Sequence, residues 1–591
     1  MIFPNMQITA RPSESRVIEF KGYDVRNTID PGSMREMKNL SSDEYPCLAP
    51  RKKRGVYDDQ YEVPSTLLAR HEKLAVCDAT SFWYGGERKF NFEFKETTDT
   101  SVVEGKTYYT RSGSSPNYEY TAVESPAGNP MALGYYEIDA VERQMQAINK
   151  MIVIYPDKIY YDIETGEHGN LGNAVHPTSV TFHKDPVTYE TRATFVLPSG
   201  ENLKGFNKGD AISFKGMSKS IIGYKSKHDN NITNAIIEKI DYTNKRMWFA
   251  YEVISFPNSD ERDFTDTGES TQGFTIEREV PDLDFILEYN NRMYGTKNNT
   301  IYASKLGDPK NWYFYGTGTA ESAYAAEVGT DGEFTGIAAH PTHIVFFKEN
   351  CIHKLYGHKP ANFQLITTAC IGLEKGSHKS IQLVNGSILY KSREGIMVYT
   401  GDLPVLISRN FGNIKYDSAV AGTDQLKYYV SMRNKEEDKW YMFVFDMDKE
   451  MWHVEDNTHA SCFAYVDNEL VYSDKDRGVV VQVIGKGERI DPDPVEWYAK
   501  FGNYDEFVEN KKVYSKLNMR LQMEPESEFS VWISINDGAW ECVQHLYSEF
   551  RRVVEMPIVP RRCDKFAVMI TGKGKIKLES LTRLVREGTM K

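Results

Sequence analysis

NKMIVIYPDKIYYDIETGE, residues 149–167, has the shape that decides the fold: apolar β-formers, a short polar turn, and a second run rich in aromatics that closes near a Gly. The same phrase recurs as HEKLAVCDATSFWYGGE (71–87), EYNNRMYGTKNNTIYASKLGDP (288–309), THIVFFKENCIHKLYG (342–357) and GSILYKSREGIMVYTGD (386–402). Two longer copies are KYYVSMRNKEEDKWYMFVFDMDKEMWHVED (427–456) and FAYVDNELVYSDKDRGVVVQV (463–483). One hairpin unit repeated through most of a chain predicts radial or linear repetition, and a β-propeller fits best. Each unit is a small sheet that cannot bury both faces alone, so neighbours must pack on one another.

Composition agrees with an all-β chain: 13% of residues are aromatic, 37 of them Tyr. The formal net charge of -13 predicts a surface that repels polyanions, which speaks against a dedicated nucleic-acid reader. DNA could still slide past such a wall without sticking. The seven Cys (47, 77, 351, 370, 462, 542 and 563) show no metal-ligand spacing and read as buried reduced thiols. The opening MIFPNMQITARPSESR lacks the basic head and apolar core of a signal peptide, and runs such as MIVIY are too short to span a membrane. The expectation is a soluble protein without a membrane anchor, made in a cytoplasm.

The domain reading starts with an extended N-terminal arm over 1–55, in which RVIEFKGYDVR (16–26) reads as one strand. Pro31, Pro46 and Pro50 then forbid a continuous helix or central strand. The propeller is expected over 56–168 and 282–488, with a polar insertion at about 87–131, and a small inserted barrel of five strands or so over 169–281. In NAIIEKIDYTNKRMWFAYE (234–252), Ile236, Ile240, Met247 and Phe249 take the apolar positions either side of a Thr243-Asn244 turn. Residues 489–591 read as an antiparallel β-sandwich. The stretch from Glu137 to Asn149 is the best place for a helix.

No catalytic constellation is legible. The closest strings to the Asp-box of sialidase-type propellers, SINDGAW (534–540) and SDKDRG (473–478), are out of register and read as hairpin turns. DMDKE (446–450) and SDKDRG lack the spaced oxygen ligands of a calcium loop and read as blade turns. His353 alternates along a strand while His343, His358 and His378 fall in turns, so structural roles outweigh a metal site. Lys348 and Lys354 read as charges that keep a blade edge soluble. The expectation is no enzyme, no cofactor, no metal, and no catalytic or cofactor-binding residue. The basic cluster Arg51, Lys52, Lys53 and Arg54, with Asn39 before it, is the candidate protein-docking surface of the arm.

Three phrases are more specific. MKNLSSDEYPCLAPRKKRG (37–55), EYNNRMYGTKNNTIYASKLGDPKNW (288–312) and GEFTGIAAHPTHIVFFKENCIHKLYGHKPANFQL (332–365) resemble the tail-nozzle, or packaged-DNA-stabilisation, proteins of tailed bacteriophages and prophages. KSIQLVNGSILYKSREGIMVYTGDLPVLIS (379–408), GAWECV and IVPRRCDKFAVMITGKGKIKLES are similar to the same family, whereas the inserted barrel departs from its pattern. The resemblance implies a virion structural protein of the tail or neck, in a ring of about six copies. Such a ring lies beneath the portal and adaptor, extends the DNA channel and helps retain and deliver the genome. Its implied partners are further copies of itself, portal and adaptor proteins, tail-fibre or tail-tip proteins, and double-stranded DNA passing through the lumen. The alternatives are a glycan-binding or glycan-cleaving propeller, on a phage tail or elsewhere, and a cellular propeller scaffold.

Overall fold

The structure is a computed structural model that describes the chain apart from residues 1–11, 28, 62–63, 104–105, 115–116, 124–125, 127, 138–141, 185–190, 217–231, 250–261, 266–274, 316–319, 485–489, 492–493, 507–508, 510, 548–549 and 588–591. The fold is all-β: propeller blades with an inserted barrel and a C-terminal antiparallel sandwich. Residues 1–11, where a signal peptide was sought, lie outside those described.

Each of the seven repeated phrases is the heart of a four-stranded antiparallel sheet. Blade 1 runs through Thr66–Arg70, Lys73–Cys77, Ser81–Tyr84 and Glu87–Asn91. Blade 2 begins at Gln144–Ile148, blade 3 at Phe285–Tyr289, blade 4 at Gly336–His340, blade 5 at Gln382–Val384 and blade 6 at Tyr416–Thr423. Blade 7 holds Ala460–Val466, Glu469–Asp474 and Val479–Gln482. In blades 1, 3 and 7 the first hairpin turns on two residues of positive φ: His71 and Glu72, Asn290 and Asn291, Asp467 and Asn468. That turn matches the right-handed twist of the strands it joins, so Asn and Asp recur there.

The chain divides into two compact units. The first, residues 1–138 and 373–591, holds blades 5, 6, 7 and 1, whose first strands pack in that order. Leu67, Leu74 and Val76 of blade 1 share a core with Val466, Val471 and Val480 of blade 7. The second unit, 139–372, holds blades 2, 3 and 4 and the barrel. Met293 of blade 3 packs with Ile148 and Val153 of blade 2, and the next residue, Tyr294, with Ile344 and Phe346 of blade 4. Strand alternation sends neighbouring side chains to opposite faces, and both faces are buried.

The described residues of the arm, from Pro12 on, do not form a free extension. Ser13–Val17 pairs with Ile576–Glu587 at the edge of one sandwich sheet, and Ser33–Lys38 pairs with Glu496–Phe501 in the other. Gly55–Asp58 then pairs with Val479–Gln482 and supplies the fourth strand of blade 7. The expected single strand over 16–26 breaks into Ser13–Val17 and Gly22–Tyr23, because Gly22 turns the chain with φ +78° against the Trp452 carbonyl. The helix expected near Glu137 to Asn149 is also corrected. Gln144–Ile148 is the first strand of blade 2, where pairing to Met151–Tyr155 overrides helix propensity. Among the described residues there is no α-helix. The polar insertion starts later than expected, since Glu87–Asn91 belongs to blade 1; within it, Tyr109–Ser114 and Asn117–Ala122 form their own hairpin.

The barrel is larger than the five strands expected, with eight paired strands between Asn173 and Arg278 around Phe182, Phe195, Phe214 and Phe249. In its long hairpin a bulge between Ile237 and Lys239 shifts the phase. Ala235 and Ile237 therefore point inward, while Ile236 is half-buried. Asp210 links the barrel to blade 3 by accepting from Arg278 within the insertion and from Asn311 of the blade. Arg278 donates at 2.5 Å, and Asn311, in the Asp-Pro-Lys-Asn-Trp end of that blade, at 3.1 Å.

A Cβ on Gly22 would lie 2.2 Å from the Trp452 carbonyl oxygen. Gly22→Ala is expected to cost roughly 2 to 4 kcal/mol of unfolding free energy in chemical denaturation, from the clash and the left-handed backbone together. A loss below about 0.5 kcal/mol, the range of an ordinary surface change, would show that the arm does not lie against blade 6.

Candidate functional site

The candidate docking residues separate sharply. Asn39, Arg51 and Arg54 are buried, Lys53 is half-buried and Lys52 is exposed. The Arg51 guanidinium binds both oxygens of Asp491 (2.8 and 3.0 Å), reaches Asp456 at 3.3 Å, and donates Nε–H to the Asn39 side chain at 2.9 Å. Asn39 in turn donates to the Glu496 carbonyl at 2.7 Å. Arg54 pairs with Glu455 and Asp456, donates to the Thr458 hydroxyl at 2.7 Å and lies 5.3 Å from the centre of the Tyr472 ring.

Burial opposes the charge on Arg54, yet Asp456, Tyr472 and Glu455 outweigh it and hold its pKa well above the ordinary value. Burial likewise works against the Asp456 charge, but Arg54 and Arg51 pull its carboxyl down to about 2. This node joins the arm, the last strand of blade 6, the second strand of blade 7 and the entry to the sandwich. The docking expectation is therefore corrected for Asn39, Arg51 and Arg54: their polar atoms are turned inward to carboxylates and a carbonyl that sequence order places hundreds of residues away. The run Arg-Lys-Lys-Arg carried no signal of this, because the carboxylates that separate its members are brought near only by folding.

The histidines and lysines of blade 4 are also structural. His343 is the first residue of His343–Phe347 rather than part of a turn, and is buried against Tyr356 with ring centres 4.7 Å apart. His353 lies between the Thr330 and Thr367 hydroxyls, each 2.9 Å from a ring nitrogen. Burial lowers both pKa values to about 4, and that of His453 in blade 6 to about 3. Lys348 and Lys354, expected at a soluble edge, are buried. The Lys348 ammonium donates to Asn299 Oδ1 and to the carbonyls of Thr330 and Gly332 at 2.6 to 2.8 Å, which satisfies all three of its protons.

The calcium-like strings are turns, as expected: Asp446 accepts from the Lys449 amide, and Asp474 from those of Asp476 and Arg477. In SINDGAW, Asn536 and Asp537 take positive φ in a hairpin turn. All seven Cys are free thiols, but Cys542 is exposed, contrary to the expectation of burial. Among the described residues no group of three His, Cys, Asp or Glu is placed to hold a metal ion, and no helix is long and apolar enough to cross a membrane.

One cleft, in the first unit, was not foreseen. It lies where the arm meets the sandwich, has a volume of about 690 Å³, and is lined by Glu14, Asp30 and Arg35 on one side and Tyr504, Lys565 and Arg583 on the other. Arg583 has a side chain 1% exposed and donates to Glu506 at 2.7 and 3.2 Å and to the Ser15 hydroxyl at 2.7 Å. Its guanidinium carbon lies 3.6 Å from the centre of the Tyr504 ring. Two donors that belong to cleft-lining residues are nonetheless shielded and unpartnered, Nη1 of Arg583 and Nε of Arg35.

No family model and no curated protein matches this chain. Similar solved structures include an exo-β-1,3-galactanase from Phanerochaete chrysosporium, at 10% identity over 50% of this chain and 94% of that one, with a TM-score of 0.21. Another is PorZ, a bacterial surface component of the type-IX secretion system of Porphyromonas gingivalis, at 10% identity over 90% and 88% of the two chains, TM-score 0.24. A third is Hsv2 of Kluyveromyces lactis, at 11% identity over 76% and 96%, TM-score 0.27. The expectation of no enzyme is corrected at this point: a glycoside-cleaving enzyme stands among the similar structures, so the exclusion does not hold. Likeness this distant assigns no activity to the chain.

Two outcomes test the node and the buried imidazoles. Arg54→Met leaves Glu455 and Asp456 in a buried site with Arg51 as their remaining cation and is expected to cost about 3 kcal/mol in denaturation, against less than about 0.5 kcal/mol for Lys52→Glu. Equal effects would return Arg54 to the surface. The second outcome concerns acid. An unfolded His takes up its proton near pH 6.5, whereas folded His343 and His353 do so near 4 and His453 near 3. Stability should therefore fall as pH drops from 6.5 towards 4, because the unfolded chain binds protons that the folded chain refuses. Below about 4, protonation of Asp456 adds to the loss. Melting temperature measured between pH 7.5 and 4.5 should decline steadily, and His353→Gln should flatten the decline; a level profile would contradict the buried neutral imidazoles.

Proposed function

We propose that this protein is a structural subunit of a tailed-phage particle, one of about six copies in a ring of the tail or neck. The ring would lie under the portal and adaptor, with genomic DNA passing through its lumen and tail-fibre or tip proteins among its neighbours. The observation that carries this reading is where the resembling phrases fall. In MKNLSSDEYPCLAPRKKRG, Asn39, Arg51 and Arg54 build the node between arm, blades and sandwich. In YASKLGDPKNW, Asp308 and Asn311 shape the turn that receives the barrel, and the Asn311 side chain accepts from the Ala211 amide at 2.8 Å. The likeness thus resides in the joints of the molecule, where an assembly component is constrained. A net charge of -13 suits a channel that must let DNA slide.

A second reading, a glycan-binding propeller protein, is favoured by one observation, the polar cleft with its two unpartnered guanidinium donors.

Density-purified particles from the source culture, quantified by mass spectrometry against portal and capsid peptides, should carry about six or about twelve copies each. Recovery only from the particle-free soluble fraction would overturn the ring, leaving the glycan reading to be tried on arrays.

A further inference from the structure

The polar insertion after blade 1 carries a cation that its own chain leaves unanswered. Arg111, in the strand Tyr109–Ser114, is exposed, and its guanidinium carbon lies 4.4 Å from the centre of the Tyr118 ring and 4.5 Å from that of Tyr136. Stacking on aromatic faces holds a guanidinium in place and leaves its in-plane N–H groups open to acceptors. Among the described residues Arg111 has no hydrogen bond or ion pair, and its exposure puts it within reach of a partner. The cations around it are answered within the chain: Arg88 pairs with Glu119 at 3.3 Å, Lys89 with Glu87 at 2.6 Å, and Lys106 with Asp99 and Glu137 at 2.7 and 2.8 Å. Glu96 accepts from the Tyr136 hydroxyl at 3.0 Å. Lys95 is exposed as well, but among the described residues no ring fixes it.

The surroundings select a protein carboxylate over a nucleic acid. Residues 92–137 hold seven acidic side chains against Lys95, Lys106 and Arg111, so a chain of phosphates would be repelled on either side of the fixed cation. Val102, Val103, Met131 and Leu133 are exposed in the same insertion. The Met131 amide donates to the Asp99 carbonyl and the Lys106 amide to that of Val103, so both apolar pairs flank the Asp99–Lys106 ion pair. Exposed apolar side chains together with an Arg on Tyr rings match the make-up of protein interfaces, and a small anion would leave them wet. The ring supplies the partner. A closed ring repeats one head-to-tail contact, in which each copy presents Arg111 on one side and an acceptor on the other. With 84 acidic against 71 basic residues, every copy has carboxylates to spare.

We infer that this insertion is a contact between neighbouring copies of the chain, in which Arg111, held by Tyr118 and Tyr136, receives a carboxylate of the next copy and Val102, Val103, Met131 and Leu133 are covered. The inference rests on the ring reading and names where its subunits meet.

Sedimentation velocity of the full chain at low ionic strength, over a concentration series, tests the contact. The wild type should self-associate, and Arg111→Glu should weaken association at least about tenfold. Arg111→Gln removes the charge without adding a negative one and should weaken it about as much. Lys95→Glu makes the same change of charge on an unfixed residue of the same insertion and should weaken it less than about threefold. Arg111 makes no hydrogen bond among the described residues, so its variants should keep the wild-type melting temperature in dilute solution. A wild type that stays monomeric, association undiminished by Arg111→Glu, or an equal loss from Lys95→Glu would overturn the inference. Binding of a labelled DNA duplex that Arg111→Gln abolishes would reassign the site to phosphate and overturn it too. Copies per particle are read independently. About six or about twelve copies with association undiminished by Arg111→Glu would keep the ring and move its contact elsewhere. Absence from particles with association lost in Arg111→Glu would keep the contact and remove the ring.

Discussion

Two guanidinium groups buried among three carboxylates hold the first unit together. Arg51 and Arg54 lie four positions and one position before the strand that completes blade 7, Glu455 and Asp456 end the last strand of blade 6, and Asp491 precedes the sandwich. Buried charges are costly unless paired and hydrogen-bonded, so the arrangement has little tolerance: each group is present because the others are. The geometry fixes where the arm crosses the blades, and thereby the register in which Gly55–Asp58 adds to Val479–Gln482. An apolar contact of similar size would slide; a forked guanidinium on a carboxylate does not.

The sandwich is finished by the same segment. Ser13–Val17 covers an edge of one sheet and Gly22–Tyr23 with Ser33–Lys38 an edge of the other. Edge strands expose unpaired N–H and C=O groups, and the arm removes two such edges before it reaches the blades. The cleft follows from this construction. Between the Ser13–Val17 and Ser33–Lys38 strands the arm packs Phe20 on Phe501 of the sandwich, and Asp30 and Pro31 beyond it form part of one wall of the cleft. Arg583 faces that gap from a strand whose own partners are already complete.

In the second unit the barrel is not merely threaded into a loop. Arg278 and Asn311 converge on Asp210, and Arg278 also donates to the carbonyls of Leu171 and Gly205. Arg278, at the exit of the insertion, thus gathers its entry and interior, and Asn311 joins that cluster to blade 3 through Asp210. An insertion fastened in this way keeps its orientation, which a pair of flexible connectors would not provide.

The amino-acid sequence by itself determined the blades. Their turns need positive φ at Asn290-Asn291 or Asp467-Asn468, and their strands need runs such as His343–Phe347 that can be buried on both faces, and both are properties of short stretches. The tertiary structure alone decided the fate of charged residues and of the arm. Arg54 meets a carboxylate 402 positions away, Arg51 one 440 positions away, and Arg583 the Ser15 hydroxyl across 568. Whether a basic residue is solvated or buried depends on partners that only folding brings near, and nothing in Arg-Lys-Lys-Arg separates the two outer arginines from the lysines between them. The bulge at Ile237 and the eight-stranded barrel escaped the sequence for a related reason: a one-residue phase shift is set by the strand across the ladder, not by the strand that carries it.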